Sequence, residues 1–576
     1  MKLVIRQYLE SLKERGELDA LIPDLLSQMG LEVFLRPGIG ARQYGVDVAA
    51  VGKLRPEEDD KVFLFSIKSG DIGRRDWDAG NPQDLRPSII EILDVFIPAH
   101  IPSEHKDKPI VICMCFGGEI KEEVRQNISL FENKHQTSTI SFSEWNGDRI
   151  SSLIEISFLK EELLPENTRT MLRKSLAMLD EPNLSFRHFS RLAYKLAEAA
   201  KSSPKKALTS IRQMHLCTWI LFSWCREENN IESAYLASEL VLLKGWEICK
   251  QALSKTDKAS VGITTTFDAL FSLHMQVASH YCERIILPHS GHLHALSSAV
   301  SPSCSVDVAL KLFDVVGRLS STGIWVSWHA KKVEADHPAD AGRLRGIAIK
   351  YQQTIKKIIV NNPVLFSPPQ DENAIDIAIA TLFLSLDIKN KNDINNWHYR
   401  LLENIYFSFQ ANLSYPATIS SYHDLIQHPR SSDAEYRESV TQGSILYPFL
   451  AISAAIFDSQ DNYLLVQRIK NDFLAHCNFQ AYFFDESSEE HLYSNGAQHG
   501  ATLSDVGIEA PADDLIKEIE FECGESSYFR ELSAVQCSFW PLVLIACRHY
   551  RLPVPLHLFI DIHRQMNGDS GAENFS

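Results

Sequence analysis

The stretch "GVDVAAVGKLRPEEDDKVFLFSIKSG", residues 45–70, decides the fold of the N-terminal part of this chain. Two β-type apolar runs, residues 46–51 and 62–67, flank a polar segment, and this pattern predicts two successive strands of a hairpin. A single carboxylate, Asp47, lies in the first run, and Lys68 ends the second. A charged carboxylate inside an apolar strand is costly unless a cation or water compensates it. Lys68 is a candidate for that partner.

The segments around this hairpin follow an α/β pattern. Leucines at helical spacing fill residues 5–29, and Gly30 ends the run. Further β-type runs lie at residues 32–35, 109–116 and 138–145, with helical segments at 87–97 and 118–134 between them. The run at 109–116 is continuously apolar, as is typical of a strand covered on both faces. The order α-β-β-β-α-β-α-β predicts an α/β domain with a mixed central sheet, flanked by helices, over residues 1–165.

Long helical patterns dominate the rest of the chain. We expect a large all-α region, divided into a helical region at 166–430 and a C-terminal helical region at 431–576. The polar, Gly- and Ser-rich segment near 485–514 is typical of a mobile loop or a surface insertion. The apolar run at 443–457 is shorter than the roughly 18 residues that span a bilayer, and we interpret it as a buried helix.

Composition limits the classes of function. The net charge of −17 argues against a generally basic, nucleic-acid-coating surface, but not against a local basic site. The eleven cysteines are scattered and include no C-x-x-C pair, which predicts buried thiols in a reducing compartment. With no signal-peptide core, the sequence predicts a cytoplasmic protein without a membrane partner. Phosphate-loop and dinucleotide motifs do not occur, so an ATP-driven process would need a partner protein that supplies the ATPase or sensor function.

Strand alternation places Ser66 and Lys68 on the same face at the end of the second strand. The helix before the sheet, the "GVDV" that enters the hairpin and the second strand ending in x-x-K together resemble the PD-(D/E)xK nuclease superfamily. The resemblance covers residues 1–165 and implies a restriction-endonuclease-like fold. It also implies a phosphodiester hydrolase that uses Mg²⁺ or Mn²⁺.

The resemblance assigns roles to individual residues. Asp47 matches the metal-binding aspartate and Lys68 the catalytic lysine, while Asp19 is the best match for an acid on the first helix, with Glu17 as the near alternative. Ser66 stands where the family has Glu, Asp or Gln. Glu91 is therefore a candidate for a displaced acid, and Asp71 is another. The implied catalytic set is Asp47, Lys68, Ser66, Asp19 and Glu91, and the implied metal ligands are Asp47, Asp19 and Glu91.

Cations near the hairpin are candidates for nucleic-acid binding, although solvated loop charges are an equal alternative for each of them. The sequence also leaves the function between two classes. One is a metal-dependent nuclease, with DNA as the expected substrate, whose helical region senses, regulates or docks a partner. This architecture resembles bacterial anti-phage defence effectors. The other is a catalytically degenerate nucleic-acid-binding or assembly subunit. Cutting both strands would favour a homo-oligomer. The candidate cations are Arg36, Arg42, Lys53, Arg74 and Arg75.

Overall fold

The computed structural model describes residues 6, 9–10, 12, 14–37, 43–55, 57–157, 166–300 and 304–568. The chain divides into two compact units, Met1–Ala237 and Ser238–Ser576. The boundaries predicted from sequence, 1–165, 166–430 and 431–576, stay a prediction. Each unit is described by itself below.

A five-stranded mixed sheet forms the centre of the first unit, as the sequence predicts. The strands lie in the order of the chain. The first, second and third strands alternate in direction, and the third, fourth and fifth run parallel to one another. The prediction that Asp47 lies inside a strand is wrong. It lies one residue before the second strand, where the chain bends. The strands are β1 (Glu32–Leu35), β2 (Val48–Gly52), β3 (Lys61–Lys68), β4 (Ile110–Phe116) and β5 (Ile140–Trp145).

Helices cover both faces of this sheet. They are α1 (Asp19–Gln28), α2 (Arg74–Asp78), α3 (Leu85–Glu91), α4 (Ile97–His100), α5 (Glu122–His135) and α6 (Gly147–Ser157). Two π-helical turns, Glu14–Leu18 and Ile92–Phe96, precede α1 and follow α3, and a 3₁₀ turn spans Ser103–His105. The restriction-endonuclease-like assignment goes beyond this mixed sheet and its helices, and it is taken up as a proposal below.

Alternation along β3 separates the two cores of the first unit. Leu64 belongs to a cluster that includes Met114 and the helical residues Ile89 and Val124, so α3 and α5 cover that face. Phe65 points the other way and packs edge-on against Trp145, with ring centroids 4.9 Å apart. Burial of apolar side chains on both faces explains why β4 is buried along its whole length.

Among the described residues, four further helices follow α6: α7 (Glu166–Ala177), α8 (Pro182–Ala200), α9 (Pro204–Glu227) and α10 (Glu232–Cys249). The boundary between the two units falls in α10. Helix α9 lies against α1 and the π-helical turn before it: Arg212 Nη1 donates to Gln28 Oε1 at 3.3 Å, and Arg226 Nη1 is 3.5 Å from Glu17 Oε1. The first unit therefore extends well beyond the α/β pattern that the sequence shows.

The second unit is mostly helical. The prediction of an all-α region is wrong in detail, because two two-stranded sheets occur: β6 (Gly443–Ser444) with β7 (Asn478–Phe479), and β8 (Ala481–Phe483) with β9 (Ala501–Leu503). Strands of two or three residues are too short to show alternation.

The remaining helical elements of the second unit are numbered on from the first. The α-helices are α11 (Lys258–His280), α12 (Ala295–Ala299), α13 (Ser305–Val333), α14 (Pro338–Asn361), α15 (Ala374–Ser385), α16 (Lys391–Ala411), α17 (Tyr422–Ile426), α18 (Ala434–Val440), α19 (Leu446–Ile456), α20 (Gln460–Phe473), α21 (Ser488–His491), α22 (Ala512–Glu525), α23 (Tyr528–Glu531), α24 (Ser533–Gln536), α25 (Pro541–Tyr550) and α26 (Leu556–Met566). The shorter turns are Tyr281–Ile286, Leu287–His289, Pro363–Phe366, Asp371–Asn373 and Ile388–Asn390.

Buried charge and buried apolar helices both occur in the second unit. Arg548 donates to Glu239, and its Nη1 also donates to Asp314 Oδ1 at 2.9 Å. Burial raises the pKa of Glu239, but Arg548 and His549 outweigh burial and hold that pKa at about 2. Every residue of α19 is buried, which confirms a buried helix for most of the apolar run at 443–457, whereas Gly443 and Ser444 form β6.

Two other sequence predictions can be compared with the structure. Eight of the eleven cysteines are buried, as expected. Within the parts of the chain that the structure describes, no helix has the length and apolar character needed to cross a lipid bilayer.

Candidate functional site

The turn before β2 sets the position of Asp47. Gly45 has φ +78°, and a Cβ at this position would lie 2.1 Å from Ser88 O, so only glycine fits against α3 here. Two residues later, Asp47 N–H donates to Phe65 O at 2.8 Å. The Ile67 N–H donates to Asp47 Oδ2 at 2.7 Å. The carboxylate thus closes the end of the β2–β3 ladder, and this bond uses one of its two oxygens.

Lys68 ends β3 and reaches an acid that the sequence analysis missed. Its Nζ lies 3.6 Å from Glu14 Oε2, and its side chain is only 12% exposed. Glu14 begins the π-helical turn Glu14–Leu18, and Asp19 follows that turn directly. Because residues five apart align in a π-helix, Glu14 and Asp19 lie on the same side of this segment. In an ordinary α-helix, residues five apart point to different sides, so α-helical periodicity in the sequence does not predict that Glu14 and Asp19 lie together.

The electrostatics show that these groups act on one another. The pKa of Asp47 is raised to about 6, chiefly by burial, and the Ile67 N–H and Lys68 oppose this rise. Glu14 and Asp19 add to the rise through their negative charges. Asp47 is therefore within electrostatic range of Lys68 and of two further acids, Glu14 and Asp19. This group consists of three carboxyl groups and one ammonium group.

Ser66 is buried in this structure. It is 1% exposed and pairs with Met114 in the register of β3 and β4. Among the residues that the structure describes, its Oγ has no hydrogen-bond partner. An ionised carboxylate at this depth would need a compensating charge, so the neutral serine suits the position. The acid that the family has there is therefore not supplied by residue 66.

The other acids predicted from the sequence are Glu91, Glu17 and Asp19. Glu91 is half-buried at the end of α3, one helical turn beyond Ser88, so its helix lies directly against the Gly45 turn. Glu17 is ion-paired with Arg226, whereas Asp19 acts on Asp47; this favours Asp19 as the helical acid.

A further acid, Asp71, is used in the structure of a loop. Its Oδ1 accepts the Glu119 N–H at 3.0 Å, which holds the segment after β3 against the segment after β4. The same two segments are joined by Gly118 N–H, which donates to Gly70 O at 2.9 Å. The carboxyl ends of the parallel strands therefore meet at the end of the sheet that carries Lys68.

The predicted cations do not all lie near this end. Arg74 and Arg75 begin α2, shortly after β3, and both are exposed at the same end of the sheet as Lys68. Lys53 follows Gly52, which pairs with Lys61 at the start of β3. At about 3.4 Å per residue, Lys53 is roughly 20 Å from Asp47 along the sheet. Arg42 lies outside the described residues.

The chemistry of the donor set fits a hard divalent cation, because carboxylate oxygens are its preferred ligands and three acids exceed one lysine in charge. Among the described residues, no group of three or more His, Cys, Asp or Glu side chains is already spaced around one metal position. No family model, no curated protein and no solved structure matches this chain. The function therefore has to be inferred from the geometry and charge of the site.

Proposed function

We propose that the first unit is a metal-dependent nuclease with a restriction-endonuclease-like fold, and that DNA is its substrate. The observation that supports this proposal most strongly is the meeting of Asp47 and Lys68 with Glu14 and Asp19 at one end of the sheet. This end is formed by the carboxyl ends of parallel strands, where α/β proteins commonly bind their ligands.

The carboxyl groups of Asp47, Asp19 and Glu14 would hold the Mg²⁺ or Mn²⁺ ion. Such an ion, when bound, polarises a phosphate and lowers the pKa of a water molecule. In this proposal Glu14 provides the carboxylate that Ser66 lacks, in place of the displaced acid expected at Glu91. Glu91 remains a candidate for a further oxygen donor because its helix packs against the Gly45 turn.

The cationic side chains have separate roles. Lys68, nearly buried beside these acids, is positioned to donate a hydrogen bond to a phosphate oxygen and to offset the negative charge that develops on it. Arg74 and Arg75 are exposed at the same end and would contact the phosphates of the backbone without reading sequence. The strongly negative net charge of the chain is compatible with binding limited to this local track.

A second function has one specific observation in its favour. Asp47 Oδ2 accepts the Ile67 N–H, so this carboxylate also holds two strands together. A catalytically degenerate fold would keep Asp47 for that purpose alone, and the chain would then bind nucleic acid or serve as an assembly subunit.

We also propose that the nuclease belongs to a bacterial anti-phage defence system, in which the helical unit senses, regulates or docks a partner protein. The support is the architecture: an α/β unit with a candidate nuclease site, continued by a large and mostly helical unit with a tightly buried charge network.

The test is cleavage of plasmid and of labelled single- and double-stranded DNA and RNA, with Mg²⁺ or Mn²⁺ and with chelator. Asp47→Asn and Lys68→Met should abolish cutting, while Asp59→Asn, at an exposed acid in the hairpin loop, should retain it. Metal-independent binding of nucleic acid that survives both substitutions, with no cutting by the wild type, would support the degenerate alternative instead. In phage-plating assays, protection that persists with Asp47→Asn would contradict a nuclease role in defence.

A further inference from the structure

A basic segment interrupts this acidic chain in the first unit. From the start of α7 to the first turn of α9, residues 166–206 have nine lysines and arginines against four aspartates and glutamates. The segment therefore has a net charge of +5, whereas the whole chain has a net charge of −17. Lysines and arginines gathered on one helix face are the electrostatic footprint of a nucleic-acid-binding surface.

Three of these cations lie on one face of α8. Arg187, Arg191 and Lys195 are spaced four residues apart, and all three are exposed. Residues at this spacing are neighbours on a helix surface, about 6 Å apart along the helix axis. The opposite face of α8 is buried, and its apolar residues include Phe189 and Leu196. The helix thus packs through one side and presents a row of cations to solvent on the other.

Helix α7 adds a fourth cation. Ser175 Oγ lies 3.1 Å from Ser185 Oγ in the buried contact between α7 and α8, so the end of α7 lies beside the start of α8. Lys174, next to this contact, is exposed. The pKa of His188 on α8 is lowered by burial and then by nearby positive charges, among which Lys174 has the largest effect. The four cations that we call the basic face are Lys174, Arg187, Arg191 and Lys195.

The acids of the segment do not neutralise the basic face. Glu198, one turn beyond Lys195, is paired with Lys201 at 2.9 Å. Asp180 and Glu181 lie in the turn between α7 and α8. In the part of the chain that the structure describes, none of the four cations forms an ion pair. Their positive charge therefore acts on the solvent, where it attracts a polyanion.

The basic face and the candidate metal site belong to the same unit but are distinct. Helix α8 packs against α9, and α9 contacts α1 through Arg212 and Gln28. Because the axes of packed helices are about 8–10 Å apart, the exposed face of α8 is outside the reach of Asp19 on α1. A ligand of the basic face would therefore bind outside the metal site.

We propose that the basic face binds the phosphate backbone of a nucleic acid without reading its sequence. Each guanidinium group can donate two parallel hydrogen bonds to a phosphate, and each ammonium group acts as a point charge. The choice of a nucleic acid over other polyanions rests on the proposed function, because the candidate nuclease site is in the same unit. The basic face extends binding beyond the local track of Arg74 and Arg75, and it serves a non-cleaving protein equally well.

The test is binding of the full-length chain to labelled duplex DNA, single-stranded DNA and RNA, measured by fluorescence anisotropy in the presence of chelator. Two unrelated sequences of each are used. At about 50 mM salt the wild type should bind with a Kd of about 10 µM or tighter, with little difference between sequences. The three kinds of nucleic acid identify the source of the phosphates. Because no divalent ion is present, the result does not depend on cleavage, and a protein that binds but never cuts would fail the proposed function alone.

Variants assign the binding to the basic face. The triple substitution Arg187→Gln, Arg191→Gln and Lys195→Gln should weaken binding at least about tenfold and make the plot of log K against log salt for duplex DNA shallower by about 2–3. The matched control is a second triple substitution that removes the same charge from exposed lysines of the second unit, and it should change that slope by less than about one. The control substitutions are Lys350→Gln, Lys357→Gln and Lys389→Gln.

Three results would overturn the proposal. The first is a wild type that binds none of the nucleic acids at low salt. The second is an equal change of affinity and slope in the two triple variants. The third is tighter binding of the wild type to vesicles of phosphatidylserine and phosphatidylcholine, or to polyglutamate, than to any nucleic acid, with that binding lost in the α8 variant. This third result would assign the basic face to a lipid surface or to an acidic protein.

Discussion

The substitution Asp47→Asn should stabilise the protein while it removes the function. Burial raises the pKa of Asp47 from 3.8 to about 6, which means that ionising this group in the folded chain is unfavourable. A shift of about two pKa units corresponds to about 3 kcal/mol once the group is fully ionised in both states. Asparagine avoids that cost, and its side-chain oxygen still accepts the Ile67 N–H.

The sign of the effect follows from proton binding. Between the unfolded and folded pKa values of Asp47, the folded state binds more protons, so wild-type stability falls as pH rises from about 4 to 6 and is then level. Integrating the same two pKa values, the advantage of Asp47→Asn should grow by about 2 kcal/mol between pH 4.5 and pH 8. In a unit of the size of Met1–Ala237, this corresponds to a rise of about 4–8 °C in Tm.

Differential scanning calorimetry of the full chain at these two pH values, without divalent ions, measures the effect. Asp371 is another buried acid whose pKa is raised to about 6, but it is the same in both proteins and its contribution cancels. Asp59→Asn should show no pH-dependent gain. With Mn²⁺ present the order should reverse, because ligand binding to the folded state stabilises only the wild type. An equal Tm difference at both pH values, or a lower Tm of Asp47→Asn at pH 8, would refute the reasoning.

Three further predictions concern the geometry. Lys68→Met should reduce cleavage at least about 100-fold. Lys53→Met should change it less than about threefold because that lysine lies at the other end of the sheet. Equal losses in the two variants would contradict a site at the Lys68 end of the sheet. Gly45→Ala should lower the free energy of unfolding by about 2–5 kcal/mol, and so lower the Tm, because the added Cβ meets a backbone oxygen at 2.1 Å in a positive-φ turn. An unchanged thermogram would be inconsistent with that contact. Arg548→Met should cost about 3–5 kcal/mol at neutral pH by leaving Glu239 buried without its partner. Burial without Arg548 raises the pKa of Glu239 in the folded variant, so the loss should shrink as the pH falls from neutral and Glu239 protonates first in the variant and, near pH 2, also in the wild type; a pH-independent loss would show that charge is not its cause.

The strands were predictable because their apolar runs are long. The run at 109–116 corresponds to β4 (Ile110–Phe116), and the run at 62–67 to β3 (Lys61–Lys68). The same patterns predicted the mixed sheet. The two-residue strands β6 and β7 carry no such signal, so the small sheets of the second unit were missed.

The candidate site was predictable only in part. Asp47 and Lys68 followed from the hairpin, and the reversal of direction in an antiparallel hairpin could have shown that Lys53 belongs to the opposite end. Glu14 was missed because a π-helical turn changes which residues align. The ion pair of Glu17 with Arg226 joins residues far apart in the chain, and no local pattern predicts such a contact.

The most direct test of the proposed metal site is a crystal of the full chain soaked in Mn²⁺ and measured for anomalous scattering. We expect an anomalous peak bordered by the carboxylates of Asp47 and Asp19, close to Lys68, and its disappearance in Asp47→Asn crystals. No peak beside Asp47 at saturating Mn²⁺, or a peak that persists unchanged in the variant, would contradict a metal-dependent nuclease at this end of the sheet.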